Sequence, residues 1–217
     1  ETILRAVRPL GPERVAIGDA LGRVIARDVI APRDLPPWDN SSVDGYAVVS
    51  ADVGHATPEH PAALTVVEEI PAGRMPEHQV TAGNAARIMT GAPMPAGADA
   101  VVMVEDTTLD GDRVVVRSSV ERGESVRARG QDVRAGEVVI PAGRRARAAE
   151  IGLLASLGAA AVTVGRRPRV GILATGDELA DLGEAERSDR IFNVNSYAIA
   201  AQVAEAGGTA LLLGIAR

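Results

Sequence analysis

Four short stretches carry residue types that do chemistry. LPPWDNSSVDGYAV, Leu35 to Val48, crowds Asp39, Asn40, Ser41, Ser42 and Asp44 around one turn ahead of Gly45. A polar turn uses about two such side chains for its own backbone. The surplus points to a ligand site with Asp44 facing it; the competing reading is ordinary packing. ATGDEL, Ala174 to Leu179, closes an apolar strand. There Thr175 offers a hydroxyl, Gly176 permits close backbone approach, and Asp177 and Glu178 offer carboxylates for Mg²⁺ or for proton transfer. A strand-end turn whose Asp satisfies backbone amides is the alternative. RIMTGAPMPAGADAVV, Arg87 to Val102, places Thr90 and neighbouring amides where an oxyanion would fit, or else forms a rigid loop. VRARGQDV, Val126 to Val133, brings Arg127, Arg129 and Asp132 together. Arginines at alternate strand positions share a face, which suits a phosphate; the alternative is a solvated strand edge.

These stretches need elements to hold them. Ile3, Leu4, Val7 and Leu10 recur at helical spacing, so a helix is expected to end within the first ten residues. Pro32, Pro36 and Pro37 force an extended crossing. From there the runs ALTVVEEI, AARIMT, DAVVMVED and RVVVR read as four strands, after the strand-like Tyr-Ala-Val that follows Gly45. PAGR, TGAPMPAGAD and LDGD are the breaks between them. This pattern predicts a β-rich domain over residues 32–132. The flanks, 12–31 and 133–166, are expected to pack together as a small discontinuous linking domain. AAEIGLLASLG then predicts a helix with Ile151, Leu154 and Leu157 on one face and a stop at Gly158. RVGILATGDEL, the helix NSYAIAAQVAEAGG capped by Asn195 or Ser196, and a buried strand TALLLGIA read as the opening of a parallel α/β sheet. Residues 1–11 and 167–217 form that partial α/β domain. The fold class expected is multidomain α+β. One βαβ unit cannot cover both faces of its own sheet, so the chain is expected to be a fragment.

The net charge is −6 and the isoelectric point about 5.2, which argues against a nucleic-acid backbone as partner. There is no cysteine, which excludes disulfides and thiol chemistry. His55, His60 and His78 show no zinc-type pairing. No apolar run reaches the ~20 residues of a membrane span, and no leader-like segment opens the chain. A cytoplasmic protein is the plain expectation. Every basic residue is arginine, so arginine clusters weigh less here as signs of anion binding. Trp38 and Tyr46 lie in the first stretch, Phe192 and Tyr197 beside the last helix, and so sparse an aromatic set suits an interface, a heterocycle or core packing.

In order and spacing, LPPWDNSSVDGYAV, RIMTGAPMPAGADAVVMVED, VRARGQDV, ASLG and ILATGDEL resemble the molybdopterin molybdenumtransferases: bacterial MoeA, its plant counterpart and the E-domain of gephyrin. The resemblance covers nearly the whole chain. It implies an enzyme of molybdenum cofactor synthesis that takes adenylylated molybdopterin and molybdate. With Mg²⁺ or a similar divalent cation, it cleaves the phosphoanhydride, releases AMP and leaves molybdenum on the dithiolene. It also implies a homodimer whose β-rich domain reaches the partner's α/β domain, and contact with the adenylyltransferase of the same pathway. On this sequence the implied catalytic residues are Asp44, Thr90, Asp132 and Glu178, with Glu178 the metal ligand. The implied substrate-binding residues are Arg127, Ser41, Thr175, Gly176 and Asp177. Trp38 stands where the family usually has Phe, Gln131 replaces a common Glu, and Asn193 replaces a common Asp at the helix start. Family members run to about twice this length, with molybdate-binding lysines in the further half, so this stretch alone is not expected to turn over. A non-catalytic scaffold, or a pterin-nucleotide-binding homologue, is the other function the same fold implies.

Overall fold

The computed structural model describes Arg5, residues 7–184 and residues 189–216. The helix expected in the first ten residues falls largely outside that range; residues 7–11 carry no helix, and Val7 and Leu10 are exposed. The chain begins with β1 (Pro12–Ala16) and β2 (Val29–Ile30). It divides into two compact units, Ile30–Glu137 and Glu1–Val29 with Val138–Arg217. Among the described residues no helix is long and apolar enough to cross a membrane.

The Ile30–Glu137 unit holds β3 (Asn40–Ser41), β4 (Gly45–Val48), the one-turn helix α1 (Ser50–Val53), β5 (Ala62–Ile70) and β6 (Asn84–Ile88). It continues with β7 (Ala100–Met103), β8 (Thr107–Asp110), β9 (Arg113–Val116) and β10 (Val126–Arg127). Six strands make one sheet in the order β7-β4-β6-β5-β9-β8. Only β5 and β6 run parallel within it. The four apolar runs are β5, β6, β7 and β9. β8 has no apolar alternation to announce it; it pairs with β9 alone and, as an edge strand, needs no buried face. β4 lies between β6 and β7 with all four residues buried. Side chains alternate between sheet faces. Tyr46 and Val48 therefore join one core with Leu64, Val102 and Val114, while Ala47 joins a second with Ile70, Ile88 and Val101. Each fully buried Val or Ile is worth roughly 1.5–3 kcal/mol, so β4 anchors the residue just before it, Asp44. The aromatic at Tyr46 is thus core packing, whereas Trp38 is 41% exposed.

In the other unit, β11 is Val138–Ile140 and α2 is Ala148–Ser156. β12 (Ala161–Gly165) runs antiparallel to β1, from Pro12 opposite Gly165 to Ala16 opposite Ala161. Leu154 of α2 sits in a core with Ile25, Ile140, Val162 and Val164. Glu150 secures the start of α2: it accepts the Arg147 amide at 3.0 Å, the Arg147 guanidinium at 3.0 Å and the Arg144 Nε at 3.1 Å. The Arg147 guanidinium foremost, then the backbone amide, pull its carboxyl down to about 2.

The rest of this unit is β13 (Arg169–Thr175), β14 (Leu179–Ala180), β15 (Ile191–Phe192), α3 (Val194–Glu205) and β16 (Thr209–Ala216). β13 and β16 pair in parallel with α3 between them in sequence, a βαβ unit. The whole is mixed α/β and strand-rich. Two expectations fail here. The cap of α3 is Asn193, not Asn195 or Ser196: its Oδ1 accepts the Ser196 amide at 3.2 Å, the third residue of the helix, which is the capping geometry. And β16 is not buried: Leu212 and Leu213 are 48% and 61% exposed. Among the described residues β13 and β16 form a two-stranded sheet that α3 packs against, and the side chains of Leu212 and Leu213 stay open.

Candidate functional site

The segment through β3 is stapled on both sides within the Ile30–Glu137 unit. The Ser41 amide donates to Ala92 O at 3.1 Å, and Gly91 N donates back to Ser41 O at 2.8 Å. On the other side Ser41 pairs with Val126 and Asn40 with Arg127, and the Ser42 amide donates to Ser125 O at 2.9 Å. Three of the four chemistry-bearing stretches therefore meet along one short strand.

At its end stands Asp44. Thr90 donates to Asp44 Oδ1 twice, from its amide at 2.7 Å and from its hydroxyl at 2.6 Å. Both residues are exposed. The Thr90 hydroxyl, then its amide, hold the Asp44 carboxyl below the usual carboxylate range, with lesser help from the Arg87 charge. The expected oxyanion site at Thr90 is thus engaged by a carboxylate of the chain itself. Gly45 makes the placement possible: a Cβ there would lie 1.9 Å from the Val102 carbonyl oxygen. Only a bare Cα lets β4 press against β7 at this point, and Val104 N then donates to Asp44 O at 3.0 Å.

The other candidates of this unit have settled partners. Ser41 is 1% exposed and its hydroxyl donates to Val43 O at 2.6 Å. Arg127 donates to Asp132 Oδ2 at 2.5 Å, and both side chains stay about half exposed, 45% and 51%. Arg127 and Arg129 do not share a strand face. β10 ends at Arg127, and the chain turns through Gly130 at φ +68°. Arg129 instead spans the turn: its amide donates to Asp39 Oδ1 at 2.7 Å and its Nε to Asp34 Oδ2 at 2.6 Å. Asp34 also accepts the Ala135 amide, and that bond, followed by Arg129, lowers its carboxyl.

In the other unit the candidates follow β13. Thr175 is its last residue. Gly176 takes φ +151°, a region L-residues avoid, and the Glu178 carboxylate folds back over it: a Cβ would meet Glu178 Oε2 at 2.6 Å. Asp177 and Glu178 are both exposed. A cavity of about 370 Å³ opens between the C-terminal end of β13 and the start of α3, lined by Thr175, Leu179, Phe192, Asn193 and Ser196 among others. Ligands of open α/β sheets bind at such strand ends. Glu178, Asp177 and Gly176 flank this cavity in sequence without lining it. Tyr197 donates to Asp181 Oδ1 at 3.0 Å, and that bond raises its phenol. No group of three or more His, Asp or Glu among the described residues is placed to hold a metal.

Residues 1–158 match the family described as the MoeA N-terminal region, domains I and II. The chain belongs to this family. It is similar to the molybdopterin molybdenumtransferase of Nostoc sp., 43% identical over 94% of this chain and 47% of the relative. It is also similar to molybdopterin molybdenumtransferase 2 of Mycobacterium tuberculosis, 42% identical over 94% of this chain and 50% of the relative. Among solved structures, the molybdopterin biosynthesis MoeA protein of Pyrococcus horikoshii superposes with a TM-score of 0.87 at 36% identity, over 95% of this chain and 55% of that one. The chain spans about half the length of the curated relatives it matches.

For this member of the MoeA family the structure joins Asp44 to Thr90 and Arg127 to Asp132, and sets Thr175 at a cavity mouth. Reading the sequence did not single out Arg87 or Asp34. Arg87 sits on β6 opposite Tyr46, two residues past Asp44, and its charge acts on the Asp44 carboxyl. An arginine inside an otherwise apolar strand run was the available signal.

Proposed function

We propose that this chain acts in molybdenum cofactor biosynthesis as the N-terminal half of a molybdenum insertase, transferring molybdate to adenylylated molybdopterin with release of AMP. The observation that carries the reading is the Asp44–Thr90 pair: two motif residues 46 positions apart, hydrogen-bonded and exposed, in a chain of the MoeA family. Asp132 and Arg127 form the second polar pair of the same unit, with Arg127 as the cation for the phosphoryl groups. Ser41 positions both pairs by tying their segments together. Thr175, Gly176 and Asp177 meet the nucleotide end at the strand terminus, and Glu178 accepts a proton from a water whose oxygen bonds to phosphorus as the phosphoanhydride P–O bond breaks and AMP leaves. Mg²⁺ is usually held by one or two carboxylates plus substrate phosphates rather than by a protein cage. The exposed carboxylates of Glu178 and Asp177 fit that pattern, and the ion would supply charge neutralisation on the leaving phosphate.

The proposal includes a division into a linking domain (12–31 with 133–166), a β-rich domain (32–132) and the opening of an α/β domain (1–11 with 167–217). It also includes a cytoplasmic homodimer that receives its substrate from the adenylyltransferase. The test is AMP release from adenylylated molybdopterin by the complete protein with molybdate and Mg²⁺. Molybdate-dependent AMP release, abolished in Glu178→Gln, is expected; release without molybdate dependence would refute insertion. Mixing inactive Asp44→Ala and Glu178→Ala subunits tests the shared dimer site. Activity should return, because one cleft of each mixed dimer carries neither change.

A further inference from the structure

The Asp44–Thr90 pair has a polarity that limits what it can bind. The Thr90 hydroxyl has one proton, and it is committed to Asp44 Oδ1. The Thr90 amide proton goes to the same oxygen. A carboxylate oxygen has about two lone-pair sites, so Oδ1 is filled. What the pair can still offer is acceptors only: Asp44 Oδ2, which takes no part in the pair, and the lone pairs of Thr90 Oγ1. From this pair itself a phosphate or molybdate would meet a carboxylate charge and no free proton.

Arg87 brings N–H donors close to these acceptors. It stands opposite Tyr46 in the β4–β6 pairing, diagonal to the chain just ahead of β4, and its charge acts on the Asp44 carboxyl. Diagonal neighbours are ~7–8 Å apart at Cα, within reach of a long side chain. The Arg87 ion pair with Glu69 is 4.0 Å long, beyond hydrogen-bond length. Arg87 and Tyr46 also line a cavity of about 330 Å³, with Leu109 as an apolar wall.

We propose that Asp44 and Thr90 bind the donor edge of a 2-amino-4-oxo-pyrimidine ring, the recognition edge of a pterin, and that Arg87 meets the adjacent ring carbonyl. The edge presents an amino N–H, a ring N–H and a carbonyl oxygen in a row. Oδ2 and Oγ1 take the two N–H groups, and the guanidinium donates to the carbonyl. An ionised Asp44 is what this pairing needs, and the Thr90 bonds together with the Arg87 charge favour that state. The inference rests on the molybdopterin reading above and deepens it: this pair reads the pterin ring, not the oxyanion end of the substrate.

The test uses the 217-residue chain and pterin as the probe, followed by fluorescence at neutral pH. Lumazine is the comparison, since it has the same ring size and replaces the 2-amino donor with a carbonyl acceptor. A charge-assisted hydrogen bond sets the scale, so wild type should prefer pterin roughly tenfold to a hundredfold. Asp44→Asn presents an amide donor where Oδ2 stood and should reverse the preference toward lumazine, an outcome that misfolding cannot produce. Arg87→Gln should weaken both probes. Guanosine carries the same edge on a smaller bicycle, and binding of guanosine without pterin would overturn the pterin assignment. Equal affinity for pterin and lumazine, no detectable pterin binding, a requirement for Mg²⁺, or displacement by molybdate would each overturn the inference. The insertase reading stands or falls separately, on AMP release. Pterin binding that survives unchanged in Asp44→Asn would sink this inference and leave that reading intact.

Discussion

Gly45→Ala should destabilise the Ile30–Glu137 unit far more than an alanine usually does. The added Cβ would lie 1.9 Å from Val102 O, 2.9 Å from Val102 C and 3.2 Å from Met103 Cα. Carbon–oxygen contacts between strands normally sit at about 3.3 Å or more, so the overlap is near ~1.4 Å. All three contacts are backbone, so no side chain can rotate away. β4 is held on both edges, by β6 and β7, so relief must come from spreading the β4–β7 pair. That movement would break the 3.0 Å bond from Val104 N to Asp44 O and strain its neighbours. Overpacking costs typically ~1–3 kcal/mol and each lost hydrogen bond ~1 kcal/mol, so about 3 kcal/mol or more is expected. For a domain of this size that lowers Tm by more than ~10 °C. Urea unfolding followed by circular dichroism measures it directly, as a lower midpoint at unchanged slope. A change smaller than about 0.5 kcal/mol, the ordinary surface range, would show that the β4–β7 approach is not as close as described and would undo the account of how Asp44 is placed.

Gly152 is the opposite case: it lies exposed in α2 with open space where a Cβ would go, so Gly152→Ala should stabilise by roughly 0.5–1 kcal/mol in the same assay. Glu150 has a folded value of about 2, below the ordinary 4.5, so its stabilisation is present above about pH 4.5 and is lost as pH falls toward 2. Thermal melts of wild type should therefore decline across that window more steeply than those of Glu150→Gln. Thr90→Val removes one of two donors to Asp44 and should raise the Asp44 carboxyl toward its usual range, read by carboxyl-carbon NMR titration. Glu178→Gln in the complete protein should abolish AMP release while unfolding stays within about ±0.5 kcal/mol of wild type, because the carboxylate is exposed; a large loss of stability would assign Glu178 a structural role.

The sheet strands were legible because short apolar, valine-rich runs between glycine and proline breaks are a local signal. β8 was not, because TTLD is an edge strand that buries little and so has no pattern to show. The α3 cap was misplaced by two residues because Asn193, Asn195 and Ser196 are all good capping types, and only the path of the chain decides among them. The arginines failed for a related reason. Alternation puts residues on one face only while a strand lasts, and β10 lasts two residues before Gly130 turns the chain.

Composition located the polar side chains, but their remaining hydrogen-bond capacity depends on which partners the fold delivers. Asp34 and Asp44 illustrate the difference. Asp34 has one oxygen on the Ala135 amide and the other on Arg129 Nε, and it is spent on structure. Asp44 receives both of its donors on a single oxygen, from a residue 46 positions away, and remains exposed with the other oxygen outside the pair. In sequence each is an aspartate near a proline-rich turn. Asp44 and Thr90 meet just beyond the last β4–β6 pair, Gly45 with Ile88, and the Arg87 charge from β6 reaches the same carboxylate. A carboxylate with one oxygen outside its internal bonds and a cation nearby keeps capacity to accept from a ligand; a carboxylate satisfied at both oxygens is a brace. That distinction follows from strand register and from the bare Cα of Gly45, neither of which a count of residue types contains.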